Sequence, residues 1–260
     1  DHPDDARQAI RMTNQVSIKD ASLLKSKSVQ ELLALLNAYG EEARVAGGAV
    51  RNVLLGQPVK DVDIATTAMP SEVIRRSEDA GYRTVPTGID HGTVTVIIGG
   101  EPFEVTTLRA DSDHDGRRAN VDFGRDWKVD AVRRDFTING LYADADGTIV
   151  DLVGGLNDIE SRTVRFIGDA EARIREDYLR VLRFFRFFAW YGHGRPDGDA
   201  IRAIVRLKDG VGQLSAERVW SELKKLLSAP DQSRTLLWMR QSGVLTDVPP
   251  ESGQWGIDLI

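Results

Sequence analysis

Hydrophobic and polar positions follow two rhythms along this chain of 260 residues. Between Val29 and Tyr39 the apolar side chains recur at helical spacing, and Gly40 indicates where that helix ends. From Ala43 onward, short apolar runs of strand type alternate with helical runs. This part of the sequence predicts strands at 43–46, 82–85, 93–98 and 102–107, and helices at 49–55 and 70–80.

The pattern changes after Gly168, where helical periodicity continues without a convincing strand. We expect helices at 170–191, 199–207, 216–227 and 232–241. A mixed part followed by a run of helices predicts an α+β fold, in which a mixed β-sheet with helices forms a head and an all-α region follows it. The expected division is an N-terminal extension at 1–27, a head at 28–168, a helical neck at 169–215 and the start of a helical body at 216–260.

Composition and charge exclude several classes of protein. The chain has no cysteine, which excludes disulfides, thiolate nucleophiles and cysteine-based zinc sites. The four histidines are scattered, with no pair at metal-ligand spacing. A net charge of −6 argues against nonspecific coating of nucleic acid, although arginines cluster between residues 117 and 186. The sequence shows no membrane-spanning run and no signal peptide, so we expect a cytoplasmic protein.

The most informative stretch is Gly47-Gly48-Ala49-Val50-Arg51, which lies between an expected strand and an expected helix. Glycines at such a turn allow a ligand to approach the backbone closely. The N-terminus of the following helix would offer free N–H groups to an anion. This pattern predicts a phosphate-binding turn.

A pair of carboxylates follows at Asp61 and Asp63, at alternate positions of an expected strand, so both side chains would project from one face. Neighbouring carboxylates repel each other unless a cation lies between them, and Mg²⁺ prefers such oxygen ligands. Glu104, on another expected strand, is our candidate for a third catalytic carboxylate. An isolated Asp-x-Asp is more often a solvated strand edge, but the phosphate-binding turn upstream favours a metal site. The combination indicates nucleotidyl transfer.

A second polar grouping occupies residues 133–139, with the sequence Arg-Arg-Asp-Phe-Thr-Ile-Asn. Its arginines match phosphate oxygens, and either Asp135 or Asn139 would hydrogen-bond a ribose hydroxyl. The alternative interpretation is a helix cap with surface ion pairs, which accounts for Asp135 but not for the whole set.

The helix expected over 173–191 places Glu176, Asp177, Arg180 and Arg183 on one polar face. Cytosine and adenine each present an amino donor beside a ring acceptor, which matches one carboxylate and one guanidinium. Asp177 and Arg180 would therefore accept CTP and ATP and reject UTP and GTP. The alternative is an intrahelical salt bridge between these two residues, which contributes only roughly 0.2–0.5 kcal/mol.

Taken in order, these motifs resemble those of the class II tRNA nucleotidyltransferases, which belong with the bacterial poly(A) polymerases to the DNA polymerase β-like superfamily. The resemblance extends from about residue 29 to about residue 227. The matching motifs are Gly-Gly-Ala-Val-Arg at 47–51, Asp-Val-Asp-Ile-Ala-Thr at 61–66, the 133–139 segment, Asp-x-x-Gly-Gly at 151–155, Glu-Asp-x-x-Arg-x-x-Arg at 176–183 and Ser-x-Glu-Arg at 215–218.

This resemblance implies a head, neck, body and tail, and metal-dependent addition of CCA to tRNA 3′ ends from CTP and ATP, with release of pyrophosphate and without a nucleic-acid template. The expected cofactor is Mg²⁺, with two ions during catalysis and Mn²⁺ as the alternative. We expect the tRNA acceptor end as a partner, and neither a membrane nor a protein partner. The implied roles are metal binding by Asp61 and Asp63, triphosphate binding by Gly47, Gly48 and Arg51, ribose and phosphate contacts by Arg134, Asp135 and Asn139, base recognition by Asp177 and Arg180, and support by Glu176, Arg183 and Arg218.

Other functions remain open from the sequence. A bacterial poly(A) polymerase is the nearest alternative, followed by an enzyme that adds only CC or only A, and by a non-catalytic nucleotide- or RNA-binding module. Residues 110–126 are polar and turn-rich and predict a mobile loop. In the family, the corresponding loop helps the switch from C to A, so this loop argues against a CC-only enzyme.

The chain departs from the family pattern at a few points. Asn52 stands where the family often has Asp, which keeps the hydrogen-bonding shape but loses the charge. Gly140 stands where the family usually has Ala. Little of the body and tail would fit after Leu227, so we expect a truncated chain that binds nucleotide better than it binds tRNA.

Overall fold

Residues 16–111 and 121–246 are described by the computed structural model, in which the chain divides into two units. The first unit comprises the chain up to Arg134 together with Asn139–Gly155. The second comprises Asp135–Ile138 and the chain from Leu156 onward. The Asp135–Ile138 segment thus belongs to the second unit although both of its flanks belong to the first. The head expected from the sequence extends further, to residue 168.

Short strands build the centre of the first unit. They are β1 (Ala43–Ala46), β2 (Asp63–Thr66), β3 (Arg83–Gly88), β4 (Thr93–Ile98), β5 (Glu101–Thr107), β6 (Arg109–Asp111), β7 (Val121–Phe123), β8 (Leu141–Ala143) and β9 (Ile149–Asp151). Among the described residues, one seven-stranded sheet has the order β3-β4-β5-β2-β1-β8-β9. Because β2 and β5 are parallel and the other neighbours antiparallel, the sheet is mixed, which confirms the expected fold.

The helices of the first unit alternate with these strands along the chain. They are α1 (Ser22–Lys25), α2 (Lys27–Leu36), α3 (Gly48–Leu54), α4 (Pro70–Asp79) and α5 (Trp127–Val132). The Ser26 hydroxyl caps α2 by accepting a hydrogen bond from the backbone N–H of Val29. Ile18 and Leu24 are buried. The described part of the expected N-terminal extension therefore contributes to the core.

The mobile loop predicted at 110–126 includes strand residues on both sides of the part that is not described. β6 and β7 pair as an antiparallel two-stranded sheet, so these ends of the predicted loop are strands. Phe123 fixes β7, because a Cβ atom on Gly92 would lie only 2.4 Å from its ring. The prediction was wrong at these ends because the ring contact joins residues far apart in sequence. Residues 112–120 lie outside the described residues.

Helices make up the second unit, whose described residues contain no strand. They are α6 (Gly155–Ser161), which starts at the last residue of the first unit, α7 (Ala170–Glu176), α8 (Leu179–Tyr191), α9 (Gly198–Leu207), α10 (Ala216–Leu227) and α11 (Ser233–Gln241). The core is aromatic, since the Phe136 ring lies 4.9, 6.2 and 5.2 Å from the rings of Phe166, Phe184 and Phe187. Of the described helices, none has the length and apolar character to span a membrane.

The helix that we predicted as continuous over 170–191 is broken at Asp177. Its backbone is extended, with φ −158° and ψ 111°, between the end of α7 and the start of α8. The Oδ1 atom of Asp177 accepts a hydrogen bond from the backbone N–H of Leu179 at 3.0 Å. Such a local side-chain bond competes with the helical pattern. The prediction was wrong because hydrophobic periodicity does not report this bond.

Candidate functional site

Two strands of the first unit bring carboxylates together at the sheet. Asp63 is the first residue of β2, and its Cα is in register with Glu104 on the parallel strand β5. Asp61 lies two residues before β2, so the strand alternation that we assumed for it does not apply. Side chains at aligned positions of neighbouring strands project from the same face. The structure therefore brings Glu104, our candidate for the third carboxylate, next to Asp63.

The charge state of Asp63 reflects its neighbours. Burial of its carboxyl, followed by the negative charges of Glu104 and Asp61, raises the pKa of Asp63 to about 6 against the opposing charge of Arg134. A hydrogen bond with Glu104 acts in the same direction. The residue as a whole still contacts solvent, which screens these interactions. The neighbouring carboxylates thus make ionisation of Asp63 unfavourable.

This acidic group fits a cation through its chemistry. Carboxylate oxygens are the ligands that Mg²⁺ prefers, and a cation would relieve the repulsion that raises the pKa of Asp63. Within residues 16–111 and 121–246, however, no three acidic or histidine side chains are placed as a complete metal cage. Mg²⁺ commonly takes one or two protein carboxylates and completes its shell with waters and substrate phosphates. The acidic group meets that requirement.

The turn at Gly47 and Gly48 holds two guanidinium groups. Gly47 has a φ of +64°, and a Cβ there would lie 3.4 Å from Nη1 of Arg134. A Cβ on Gly48 would lie 3.3 Å from Nη2 of Arg51. The glycines thus make room for side-chain cations. Since α3 has only seven residues, these cations are a stronger attraction for an anion than the helix dipole.

Arg51 is held by two amides. Its Nη1 donates to Oδ1 of Asn139 at 2.5 Å, and its Nε donates to Oδ1 of Asn52 at 3.0 Å. Both Arg51 and Asn139 are buried, at 8% and 9% exposure. Asn52 still accepts the hydrogen bond that a carboxylate would accept. The tolerance that we expected of Asn at position 52 stays a prediction, which this contact supports.

A buried carboxylate that we did not predict supports the arginine pair. Asp130 is 1% exposed and accepts hydrogen bonds from Arg133 at 2.9 Å, from Arg134 at 3.2 Å and from the Tyr142 hydroxyl at 2.5 Å. Burial raises the pKa of Asp130, but Arg134 and Arg133 outweigh it and the pKa is lowered. The signal in the sequence was an aspartate inside the apolar Trp127–Val132 run, four residues before Arg134.

In the second unit, Asp177 has partners other than the one considered in the sequence. Its Oδ2 accepts a hydrogen bond from Nη2 of Arg218 at 2.7 Å. Burial raises the pKa of Asp177, but the hydrogen bonds from Arg218 and from the Leu179 N–H, together with the charges of Arg218 and Arg180, lower it overall. Arg218 follows the α10 cap at Ser215, as expected. The support role predicted for Arg218 thus has a direct contact behind it.

Arg180 is held from the preceding helix. Its Nη1 donates to the backbone carbonyl of Arg173 at 2.9 Å and forms an ion pair with Glu176. The intrahelical salt bridge between Asp177 and Arg180 that we considered as the alternative does not occur, because the chain is extended at Asp177. Asp177 and Arg180 each keep a separate set of partners.

Asp135 belongs to the second unit, whereas Arg134 and Asn139 belong to the first. Its carboxylate accepts hydrogen bonds from Arg183 at 2.9 and 2.5 Å. Arg183 also lies 3.5 Å from Glu222, which in turn forms an ion pair with Arg186 at 2.5 Å. The expected ribose-binding set is therefore divided, and Asp135 is engaged by an arginine of α8.

The first unit has the features expected of a nucleotidyltransferase head. These are a mixed sheet, carboxylates on two parallel strands and a glycine turn next to two arginines. Residues 43–165 match the family described as the poly(A) polymerase head domain. Residues 196–253 match the family described as the probable RNA and SrmB-binding site of polymerase A.

Proteins of similar sequence and structure are also nucleotidyltransferases. The mitochondrial CCA tRNA nucleotidyltransferase 1 of Danio rerio is 43% identical over 219 residues, which are 83% of this chain and 51% of that protein. The CCA-adding enzyme of Geobacillus thermodenitrificans is 40% identical over 228 residues, with shares of 86% and 55%. The crystal structure of the Bacillus stearothermophilus CCA-adding enzyme in complex with CTP is similar with a TM-score of 0.77 at 38% identity, and covers 85% of this chain and 53% of that one.

The chain belongs to the family of class II tRNA nucleotidyltransferases and poly(A) polymerases, as its motifs indicated. It spans about half the length of the curated relatives that it matches.

Proposed function

We propose that this chain is the nucleotide-adding part of a CCA-adding enzyme, which transfers CMP and AMP units from CTP and ATP to tRNA 3′ ends and releases pyrophosphate. The pairing of Asp63 with Glu104 across β2 and β5, with the charge of Asp61 beside them, carries the proposal. The names of the relatives support the substrate, since they are CCA-adding enzymes from bacteria and mitochondria.

Asp61, Asp63 and Glu104 would hold Mg²⁺, as two ions during the reaction, with Mn²⁺ as the alternative. When bound, the metal lowers the pKa of the attacking 3′ hydroxyl and neutralises charge on the departing pyrophosphate. Arg51 and Arg134 bind the triphosphate beside Gly47 and Gly48, which leave room for them. Their guanidinium groups hold the nucleotide in line for attack.

Asp177 and Arg180 read the base. The lowered pKa of Asp177 keeps its carboxylate ionised and able to accept the amino N–H of cytosine or adenine. Arg180 donates to the neighbouring ring nitrogen, and Glu176 and Arg218 hold the two groups in place. Either Asn139 or Asp135 contacts the ribose, and Arg183 orients Asp135. In this proposal, each of these residues either contacts the nucleotide or positions a residue that does.

A primer-extension assay tests the proposal. Each NTP is offered singly and in mixtures, with Mg²⁺ or Mn²⁺, to tRNA transcripts that end before CCA, after C and after CC. We expect growth that stops at CCA and uses only CTP and ATP. Asp61→Ala should abolish addition and leave the fold intact by circular dichroism. Long A tails on any RNA end, with CTP ignored, would identify a poly(A) polymerase instead.

The resemblance also leads us to propose the tRNA acceptor end as the partner. The segment 111–126 stays our candidate for the switch from C to A, and the cytoplasmic location stays a prediction.

A further inference from the structure

Tyr178 packs directly on a glycine of the second unit. Gly210 is buried in the short 3₁₀ helix Lys208–Gln213. A Cβ atom at Gly210 would lie 2.1 Å from both Cδ1 and Cε1 of Tyr178 and 2.6 Å from its Cγ. Real Cβ atoms do not come this close to another carbon. The ring therefore occupies the space that any side chain at position 210 would need.

The reason for a glycine here is the ring and not the backbone. The φ of Gly210 lies outside the positive region, so other residues could adopt its conformation. Gly212, two residues further in the same 3₁₀ helix, has no atom within 4 Å of an added Cβ. Gly210 is buried against the Tyr178 ring, whereas Gly212 is exposed and has no such neighbour.

Tyr178 links this contact to the base-reading residues. It follows Asp177 in sequence and is the residue from which α8 starts, and its carbonyl accepts the N–H of Val181 at 3.1 Å. The carbonyl of Asp177 accepts the N–H of Arg180 at 3.0 Å. Tyr178, which packs on Gly210, therefore belongs to the same backbone turn as Asp177 and Arg180.

We propose that the seating of the Tyr178 ring on Gly210 positions Asp177 and Arg180, and thereby sets nucleotide selectivity. Tyr178 and Gly210 are positioning residues in this role and do not touch the nucleotide. The proposal rests on the base-reading function proposed above. Misplacement of a recognition group by about 1 Å can lower its contribution by about a hundredfold, so a small displacement of this turn is enough to be measured.

The test compares Gly210→Ala with the matched control Gly212→Ala. The affinities of the wild-type chain and both variants for CTP, UTP and inorganic tripolyphosphate are measured by isothermal titration with Mg²⁺ present. We expect Gly210→Ala to lower the CTP-to-UTP affinity ratio at least about tenfold and to keep the tripolyphosphate affinity, which depends on the first unit. Gly212→Ala should match the wild type. An unchanged ratio in Gly210→Ala, with the fold intact, overturns the proposal.

A second pair of variants decides the matter if Gly210→Ala does not fold. Tyr178→Phe keeps the ring and should retain the wild-type CTP-to-UTP ratio, whereas Tyr178→Ala removes the ring and should lower it. Equal ratios in these two variants overturn the proposal. If the wild-type chain itself binds CTP and UTP equally, the base-reading function fails, and this result is distinct from a failure of the ring contact.

Discussion

Asp130 lies one helical turn before Arg134 and accepts a hydrogen bond from its Nη2 at 3.2 Å. The same guanidinium would be only 3.4 Å, at Nη1, from a Cβ placed on Gly47. Burial lowers the pKa of Arg134, but Tyr142 and Asp130 outweigh it and the pKa is raised. One buried carboxylate thus keeps a cation fixed beside the glycine turn.

Asp130→Asn should destabilise the chain by about 3 kcal/mol at neutral pH, because two arginines then lack their buried counter-charge. The folded-state pKa of Asp130 lies below its unfolded value, so this stabilisation is present above about pH 4 and is lost as the pH falls through the folded-state pKa. Urea unfolding of wild type and variant at several pH values measures the difference. Asp122→Asn, at an exposed position, is the control, and equal losses in both variants would contradict the prediction.

Asp63→Asn should stabilise the metal-free chain near neutral pH while abolishing metal-dependent addition. The folded-state pKa of Asp63 is raised from 3.8 to about 6, so ionisation costs stability as the pH rises through this interval, and an amide avoids that cost. The melting temperature, recorded with a chelator present, should exceed that of the wild type above about pH 6 and lose this advantage near pH 4. A lower melting temperature at both pH values would show that repulsion among the carboxylates is absent.

Arg180→Ala should reduce discrimination against UTP and GTP by about ten- to a hundredfold, because the donor to the ring nitrogen is lost. The relative kcat/KM for the four nucleotides measures this effect. Arg175→Ala removes a nearby exposed arginine that pairs with Glu171 and should leave selectivity unchanged. If both variants behave alike, the base is read by other residues.

Glu222→Gln should destabilise the second unit by about 3 kcal/mol, because Arg186 then loses its ion-pair partner beside Arg183, which keeps only Asp135. Glu222 is 4% exposed, so solvent compensates little for the missing charge. Thermal unfolding followed by circular dichroism measures the loss. Glu217→Gln, on the exposed side of the same helix, should have little effect, and a comparable loss there would rule out burial as the cause.

Much of the fold follows from local sequence patterns. β1 and β4 coincide with the runs expected at 43–46 and 93–98, and α10 coincides with the helix expected at 216–227. In each of these segments the apolar spacing decides which side is buried. The order of the strands and the parallel pairing of β2 with β5 depend on contacts between distant segments, which no local pattern encodes.

The candidate site was predictable where chemistry is concentrated in a short motif. The acidic residues and the Gly47-Gly48 turn were found because their spacing is informative. Asp130 was missed because its burial and its hydrogen bond from Tyr142 arise only when α5 packs near β8, although Arg133 and Arg134 are close to it in sequence. The break at Asp177 was missed because it depends on a hydrogen bond to Leu179 and on Arg218 of another helix.

The partners of Asp177 also bear on accuracy in an acidified cell. In the base-reading role that we propose for Asp177, protonation would turn its acceptor oxygen into a donor and would change which bases it accepts. Since the pKa of Asp177 is held below its ordinary value, already far from neutrality, mild acid stress leaves its hydrogen-bonding preference intact. If Asp177 reads the base as we propose, the choice of nucleotide does not depend on small changes of pH near neutrality.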